Sequence, residues 1–281
     1  MTHQLFRFIA LAYGYSWAIW LIPISLYGTD QIDGRVMPYI LAGSFGPALS
    51  ALFVTYKKEG IGGLKRLLSK FVVARFSWVY YLASLFILPL VALLVTLLLR
   101  LDAINPAEQG LVYLTIAIGP LNGLFSVFGG IGPLGEELGW RGYLQPSLNK
   151  WNNDLLSSVV IGPIWAAWHF PIFFFPEFRN GIGLVEMCIF YPMSMIFISY
   201  SMTKIWKWTR GSVFMAMWFH GIVNVLAALI LRAFDFNDWP NLLTYNVITG
   251  IFLITALVYG ILDRYIGTNP ALSQQKTGVK H

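Results

Sequence analysis

Charge is scarce in this sequence. Asp, Glu, Lys and Arg make up 11% of its 281 residues, where soluble domains carry about a quarter. With 57% hydrophobic residues and a mean hydropathy of +0.65, the composition excludes a soluble globular domain and points to an integral membrane protein. Cysteine is nearly absent. The single Cys188 excludes an intrachain disulfide and any zinc site built on several thiolates. Histidine is also rare: His3 and His281 stand at the two ends, which leaves only His169 and His220 in the body of the chain. No Ser-His-Asp or Cys-His arrangement can be assembled convincingly from that stock, with Cys188 in a bulk apolar stretch. Internal repeats and a Pro- or Gly-rich linker are lacking as well, so residues 1–281 read as one transmembrane domain.

What is abundant is apolar length. A helix needs roughly 20 apolar residues to cross about 30 Å of hydrocarbon. Eight stretches qualify, near 8–29, 36–56, 78–99, 111–133, 155–176, 183–203, 211–232 and 240–262, predicting an all-α polytopic bundle. The first is read as a retained helix and not as a signal peptide, since no small-residue cleavage site follows it. Lys and Arg fix the orientation. With both termini cytoplasmic, all but four of the 19 basic residues fall on the inner side, the exceptions being Arg35, Arg100, Arg179 and Arg232. The net charge of +6 is therefore a topology signal, and nucleic acid is not an expected partner. The partner that composition implies is the lipid bilayer, which in a bacterium would be the plasma membrane. The basic stretch 57–76, KKEGIGGLKRLLSKFVVARF, reads as a cytoplasmic segment at the headgroups.

Against this background each polar group at membrane depth needs a reason, because a charge there costs about 2.5–3.5 kcal/mol on insertion scales. The 25-residue run Leu111 to Gly135 has no charge and is followed at once by Glu136, Glu137 and Arg141 in GPLGEELGWRGYL. His169 lies in WAAWHFP, and His220 with Asn224 in WFHGIVN. Glu137 and Arg141 are i and i+4, so they can pair on one helix face. That leaves Glu136 about 100° away and unpaired, which suits a general acid or base. His220 and Asn224 are also i and i+4 and can project into one cavity.

These motifs resemble a known family. EELGWR fits Glu-Glu-x-x-x-Arg, WAAWH stands where Phe-x-x-x-His is expected, and HGIVN fits His-x-x-x-Asn. In this order and on separate helices they look like the CAAX protease and bacteriocin-processing family of intramembrane peptidases (Abi), which includes the type II CAAX prenyl endopeptidases. The resemblance covers roughly residues 115–230. It implies an endopeptidase acting on a membrane-associated peptide or protein. Carried over, Glu136 would activate a water that His169 helps to position. His220 and Asn224 would stabilise the oxyanion or help hold a metal, and Arg141 would brace Glu137. Trp165 departs from the family, which usually has Phe at that position, so the size of the pocket is an open point. The resemblance also leaves open a divalent metal such as zinc, for which Glu136, His169 and His220 would be the ligands, although the HExxH spacing is absent.

Depth poses a geometric problem. At about 1.5 Å per residue, His169 lies roughly 21 Å and His220 roughly 14 Å from the inner edge, whereas Glu136 should emerge near the cytoplasmic surface. Convergence requires broken helices. GGIGPLG (129–135) is one candidate break and Pro163 a candidate kink. The expectation is a cavity open to the cytoplasmic side, with the Glu136 helix starting afresh inside it. Two other readings stand beside the peptidase: a scaffold or regulatory membrane protein that keeps the fold, and a proton-coupled transporter.

Overall fold

The computed structural model describes residues 2–30, 32–72, 76–99, 110, 113–114, 116–129, 132–179, 182–235 and 241–268. Among them the architecture is all-helical. The elements in chain order are α1 (Thr2–Tyr27), α2 (Met37–Gly43), α3 (Gly46–Ser69), α4 (Trp78–Leu98), α5 (Gly119–Gly129), α6 (Pro133–Gly139), α7 (Gln145–Leu148), α8 (Asp154–Trp168), α9 (Leu184–Trp208), α10 (Val213–Asp235) and α11 (Asn241–Thr268). A turn of π-helix, Trp140–Leu144, joins α6 to α7, and a 3-10 turn, Phe170–Phe174, follows α8.

The polarity of the bundle is inverted relative to a soluble protein. On α4, Ser84 and Thr96 are fully buried while Leu90 and Leu94 are more than half exposed. Thr96 turns its hydroxyl onto Ala92 O, 2.8 Å away, so nothing polar faces outward there. Apolar side chains on the outside and hydroxyls within are what a hydrocarbon solvent selects. Six helical segments are long and apolar enough to cross a membrane among the described residues: His3–Tyr27, Met37–Val72, Trp78–Leu98, Leu184–Trp208, Val213–Ile230 and Tyr245–Ile266. The chain is a multi-pass integral membrane protein.

Three of the eight expected stretches take a different form. The fourth, 111–133, lies partly outside the described residues, and within them its longest helix is the 11-residue α5. The fifth, 155–176, is not one helix. Asn153 caps α8 by accepting from Leu156 N at 2.9 Å, and the helix runs only 15 residues to Trp168. It ends at the His-Phe-Pro sequence because Pro171 disfavours helical geometry at Phe170 and cannot donate to the ladder. The second stretch, 36–56, is split into α2 and α3, and α3 carries on through the basic residues with a break at Gly60, where φ is +60°.

The bundle has two distinct ends. Gln4 and Leu5 at the start of α1 meet Lys58, Arg66 and Lys70 from α3 and its following turn, together with Lys150, around a groove of about 420 Å³. This is the basic end. Here Lys204 bonds Asp154 at 2.6 Å and Asp263 at 2.8 Å, tying α8, α9 and α11 together. At the opposite end of α1 the chain turns through Asp33 and Arg35, and Ile32 N donates to Glu177 Oε2 at 2.6 Å.

Candidate active site

Two glycines of GPLGEELG set the position of the carboxylates. α6 lies directly against the α2–α3 connection. A methyl group on Gly135 would stand 2.5 Å from Ser44 O, and one on Gly139 2.5 Å from Pro47 Cβ. The i, i+4 pair of small residues lets the helix backbones touch, the same close approach that small-xxx-small pairs give in membranes. Gly132, at φ +103°, turns the chain into α6. A new helix therefore begins inside the bundle at Pro133, as the GGIGPLG break predicts, although 130 and 131 themselves lie outside the described residues.

On α6 the two carboxylates take different partners. Glu137 is fully buried. Its Oε2 lies 3.3 Å from Arg141 Nη1, an ion contact, and its Oε1 lies 2.8 Å from His220 Nδ1. Arg141 is also fully buried, donates from Nη2 to Ser199 Oγ at 3.2 Å, and sets its guanidinium carbon 4.6 Å from the centroid of the Trp165 ring. The π turn begins just before Arg141, and such insertions re-aim a side chain without ending the helix.

Glu136 faces away from this cluster. Its Oε2 accepts from Trp165 Nε1 at 2.5 Å, and its Oε1 occupies the space a side chain on Gly132 would fill, 2.6 Å from where that Cβ would be. The Trp165 ring stands edge-on to His220, centroids 5.0 Å apart. Trp165 O in turn holds His169 Nδ1 at 2.9 Å. A carbonyl only accepts, so Nδ1 carries the hydrogen and the neutral ring keeps a lone pair on Nε2. His169 caps the C-terminus of α8 in a nest of rings from Trp20, Trp168, Phe178 and Tyr191.

Glu136, His169, His220 and Asn224 all line one cavity of about 350 Å³, with Trp165 and Gly132 in its wall. The cavity extends toward the end of the bundle where α1 finishes. It runs from Glu136 past Trp20 and Tyr191 to Ile32, Met37, Phe178 and Tyr245, away from the basic end. Toward the basic end the way is filled by Trp140, Arg141, Leu144, Gln145 and Leu148, all buried. The physical reason is the early stop of α8: His169 sits at its far end, so the other groups meet it there.

No three side chains of His, Cys, Asp or Glu come together closely enough to hold a metal ion among the described residues. Each imidazole has its Nδ1 engaged, which leaves Nε2 as the ring atom free to meet a ligand, and one oxygen of Glu136 is held by an indole. Glu136, His169 and His220 line one cavity without gathering, as placed, into such a group, and no chemical step is assigned to a metal.

Sequence reasoning took Gly132 and Gly135 only as part of the GGIGPLG break and did not single out Gly139, Ser199 or Tyr191. The GxxxG spacing of 135 and 139 was a readable signal. Ser199 and Tyr191 had none, since a serine or tyrosine in an apolar helix looks like any other.

A family model of the Rce1-like type II CAAX prenyl endopeptidases matches residues 109–226, a segment that includes all the motifs and the cavity's ionisable carboxylate and imidazoles. A protein of Methanococcus maripaludis named CAAX prenyl protease 2 is 29% identical over 137 residues, covering 46% of this chain and 46% of the relative. The match thus spans about half the length of that relative. Residues 109–226 are thus similar to the Rce1-like type II CAAX prenyl endopeptidases.

Proposed function

We propose that the protein is an intramembrane endopeptidase that hydrolyses a peptide bond of a membrane-associated substrate, with Glu136 activating the water. The observation that carries this reading is the unequal treatment of two adjacent buried carboxylates. Glu137 is committed to Arg141 and His220, while Glu136 keeps an oxygen toward a cavity that two imidazoles also face.

In this mechanism a water in the cavity donates one hydrogen to Glu136 and the other to His169 Nε2. As the water oxygen adds to the carbonyl carbon, Glu136 takes its proton, and the carbonyl oxygen becomes an oxyanion. Donors aimed at developing charge in a water-poor site typically supply the largest single share of rate enhancement. Asn224 offers an amide N–H for this. His220, held at Nδ1 by the Glu137 carboxylate, presents Nε2 to the same cavity. Collapse of the tetrahedral intermediate breaks the C–N bond, and Glu136 returns its proton to the leaving amine. No Lys or Arg lines the cavity among the described residues, so nothing there would clamp a free C-terminal carboxylate. That favours an internal bond.

The test compares wild-type protein with Glu136→Gln in detergent on quenched prenylated and non-prenylated peptide pools. Cleavage by wild type is expected to fall at least 10³-fold in the variant, the loss of a general base together with a charged transition-state partner. Cleavage unaffected by the substitution would remove Glu136 from the mechanism, and no cleavage of any peptide would favour the scaffold reading. Adding a strong divalent-metal chelator to the wild-type assay is expected to leave the rate unchanged. A rate restored only by added metal would overturn the metal-free step.

A further inference from the structure

The groove at the basic end of the bundle shares no lining residue with the cavity that holds Glu136. Its volume, about 420 Å³, is that of a small-molecule site. Lys58, Arg66 and Lys70 reach it from α3 and the turn that follows, and Lys150 from the turn after α7. Glu59 is the one carboxylate among the described lining residues, so four cations face one anion. Lys58 Nζ stands 3.3 Å from Glu59 Oε1, and Arg66 pairs with the same carboxylate. Lys70 and Lys150 pair with no carboxylate among the described residues. The Lys70 ammonium donates instead to Gly142 O at 2.5 Å, which puts it on the groove floor.

The backbone builds this gathering. α3 breaks at Gly60, and a methyl group on Gly63 would stand 2.5 Å from Glu59 Cβ, so the segment after the break passes closely by the one before it. Lys57 and Lys65 belong to the same helix but do not line the groove, and Lys57 lies over the Phe53 ring, 5.8 Å from its centroid. A charge that only fixed topology could stand anywhere in such a segment, whereas like charges drawn around one recess repel and call for a counter-ion. Lysine binds phosphate as a point charge, and basic pockets between membrane helices take anionic headgroups. Gln4, Tyr143 and Ser147 add neutral hydrogen-bonding groups, and Leu5, Leu67 and Pro146 an apolar wall. We propose that this groove is a binding site for a phosphate-bearing anion, the headgroup of an anionic phospholipid or a free phosphate ester, held by Lys58, Arg66, Lys70 and Lys150.

The test titrates the full chain in a neutral detergent with dioctanoyl phosphatidylglycerol, dioctanoyl phosphatidylcholine and glycerol 3-phosphate, and reads bound ligand by native mass spectrometry. Phosphatidylglycerol is expected to saturate at one equivalent and the zwitterionic phosphatidylcholine to bind far more weakly. Replacing Lys70→Gln and Lys150→Gln together should weaken the anionic ligand about 25-fold, about five-fold for each lysine. The pair Lys57→Gln and Lys65→Gln removes the same charge from α3 outside the groove and should leave binding nearly unchanged. If Lys70→Gln does not fold, Lys150→Gln alone, at an exposed position, still has to show its five-fold loss. Displacement of the lipid by glycerol 3-phosphate at similar concentration identifies a free phosphate ester as sufficient, and failure to displace it identifies the lipid; both support the site. Binding that never saturates, equal losses in the two double variants, or phosphatidylcholine bound as tightly as phosphatidylglycerol would overturn the proposal. Poly-glutamate bound where none of the phosphate compounds binds would overturn it too, in favour of an acidic polypeptide.

Discussion

Trp165 illustrates how much one atom can matter at the residue scale. Its ring fills the aromatic position the family motif asks for, and its indole N–H does what the usual phenylalanine could not, holding Glu136 Oε2. A hydrogen bond to a charged group is worth about 1.5–3 kcal/mol. Trp165→Phe is expected to lower kcat by about 10- to 100-fold, with a smaller change in KM, because the base is disordered and not removed. Steady-state kinetics on a cleaved peptide checks this. If kcat were unchanged and only KM rose, Trp165 would be pocket wall alone. The sequence showed that Trp replaced Phe, and it showed that Glu137 and Arg141 could pair. It could not show that Glu137 also takes His220, since the two are 83 positions apart and only the packing of α6 against α10 brings them together.

At the scale of elements, α6 is seven residues long and too short to be stable by itself. Its position is fixed by contact, and the contact depends on glycine. Gly139→Leu would drive a side chain into Pro47, where even a methyl group stands 2.6 Å from the carbonyl oxygen. The expected outcome is a lower Tm in detergent and loss of cleavage as both carboxylates move. Gly14→Ala on α1, with open space around it, is expected to be neutral or to stabilise by about 0.5–1 kcal/mol. Thermal unfolding of the two variants side by side checks the contrast, and equal Tm values would refute the role of close approach. Element boundaries followed apolar length closely where a helix crosses the whole bundle: 78–99 was expected and α4 runs Trp78–Leu98. They failed where a helix stops inside, as α8 does, because hydropathy continues through Phe170–Phe174 after the backbone has left the helix. Pro163 was the suspected irregularity, but Pro171 marks the end.

For the whole molecule, the buried charges among the described residues sort into two systems that serve different purposes. One is at the cavity. The other is the group of Lys204, Lys207, Asp154 and Asp263, which joins α8, α9 and α11 at the basic end, with Trp208 Nε1 donating to Asp263 at 2.8 Å. Lys204 is 7% exposed at its side chain, and its two carboxylate partners 12% and 17%. Lys204→Met leaves these carboxylates short of a cation near the membrane surface. The expected loss is somewhat less than the roughly 3–5 kcal/mol that breaking a fully buried pair costs. It should appear as a lower Tm while any surviving folded protein keeps its kcat, since the network does not touch the cavity. A fall in kcat at unchanged Tm would mean that the two systems communicate.

The same network bears on how the protein is made. Asp154, Lys204 and Asp263 enter the bilayer in that order, on three helices that reach the membrane at different times. Until α11 arrives, Lys204 and Lys207 share the single carboxylate of Asp154, so the two cations at the end of α9 are only half compensated. A chain cut short before Asp263 thus displays an unneutralised lysine beside loosely joined helices, a mark by which membrane quality control could tell an unfinished copy from a finished one.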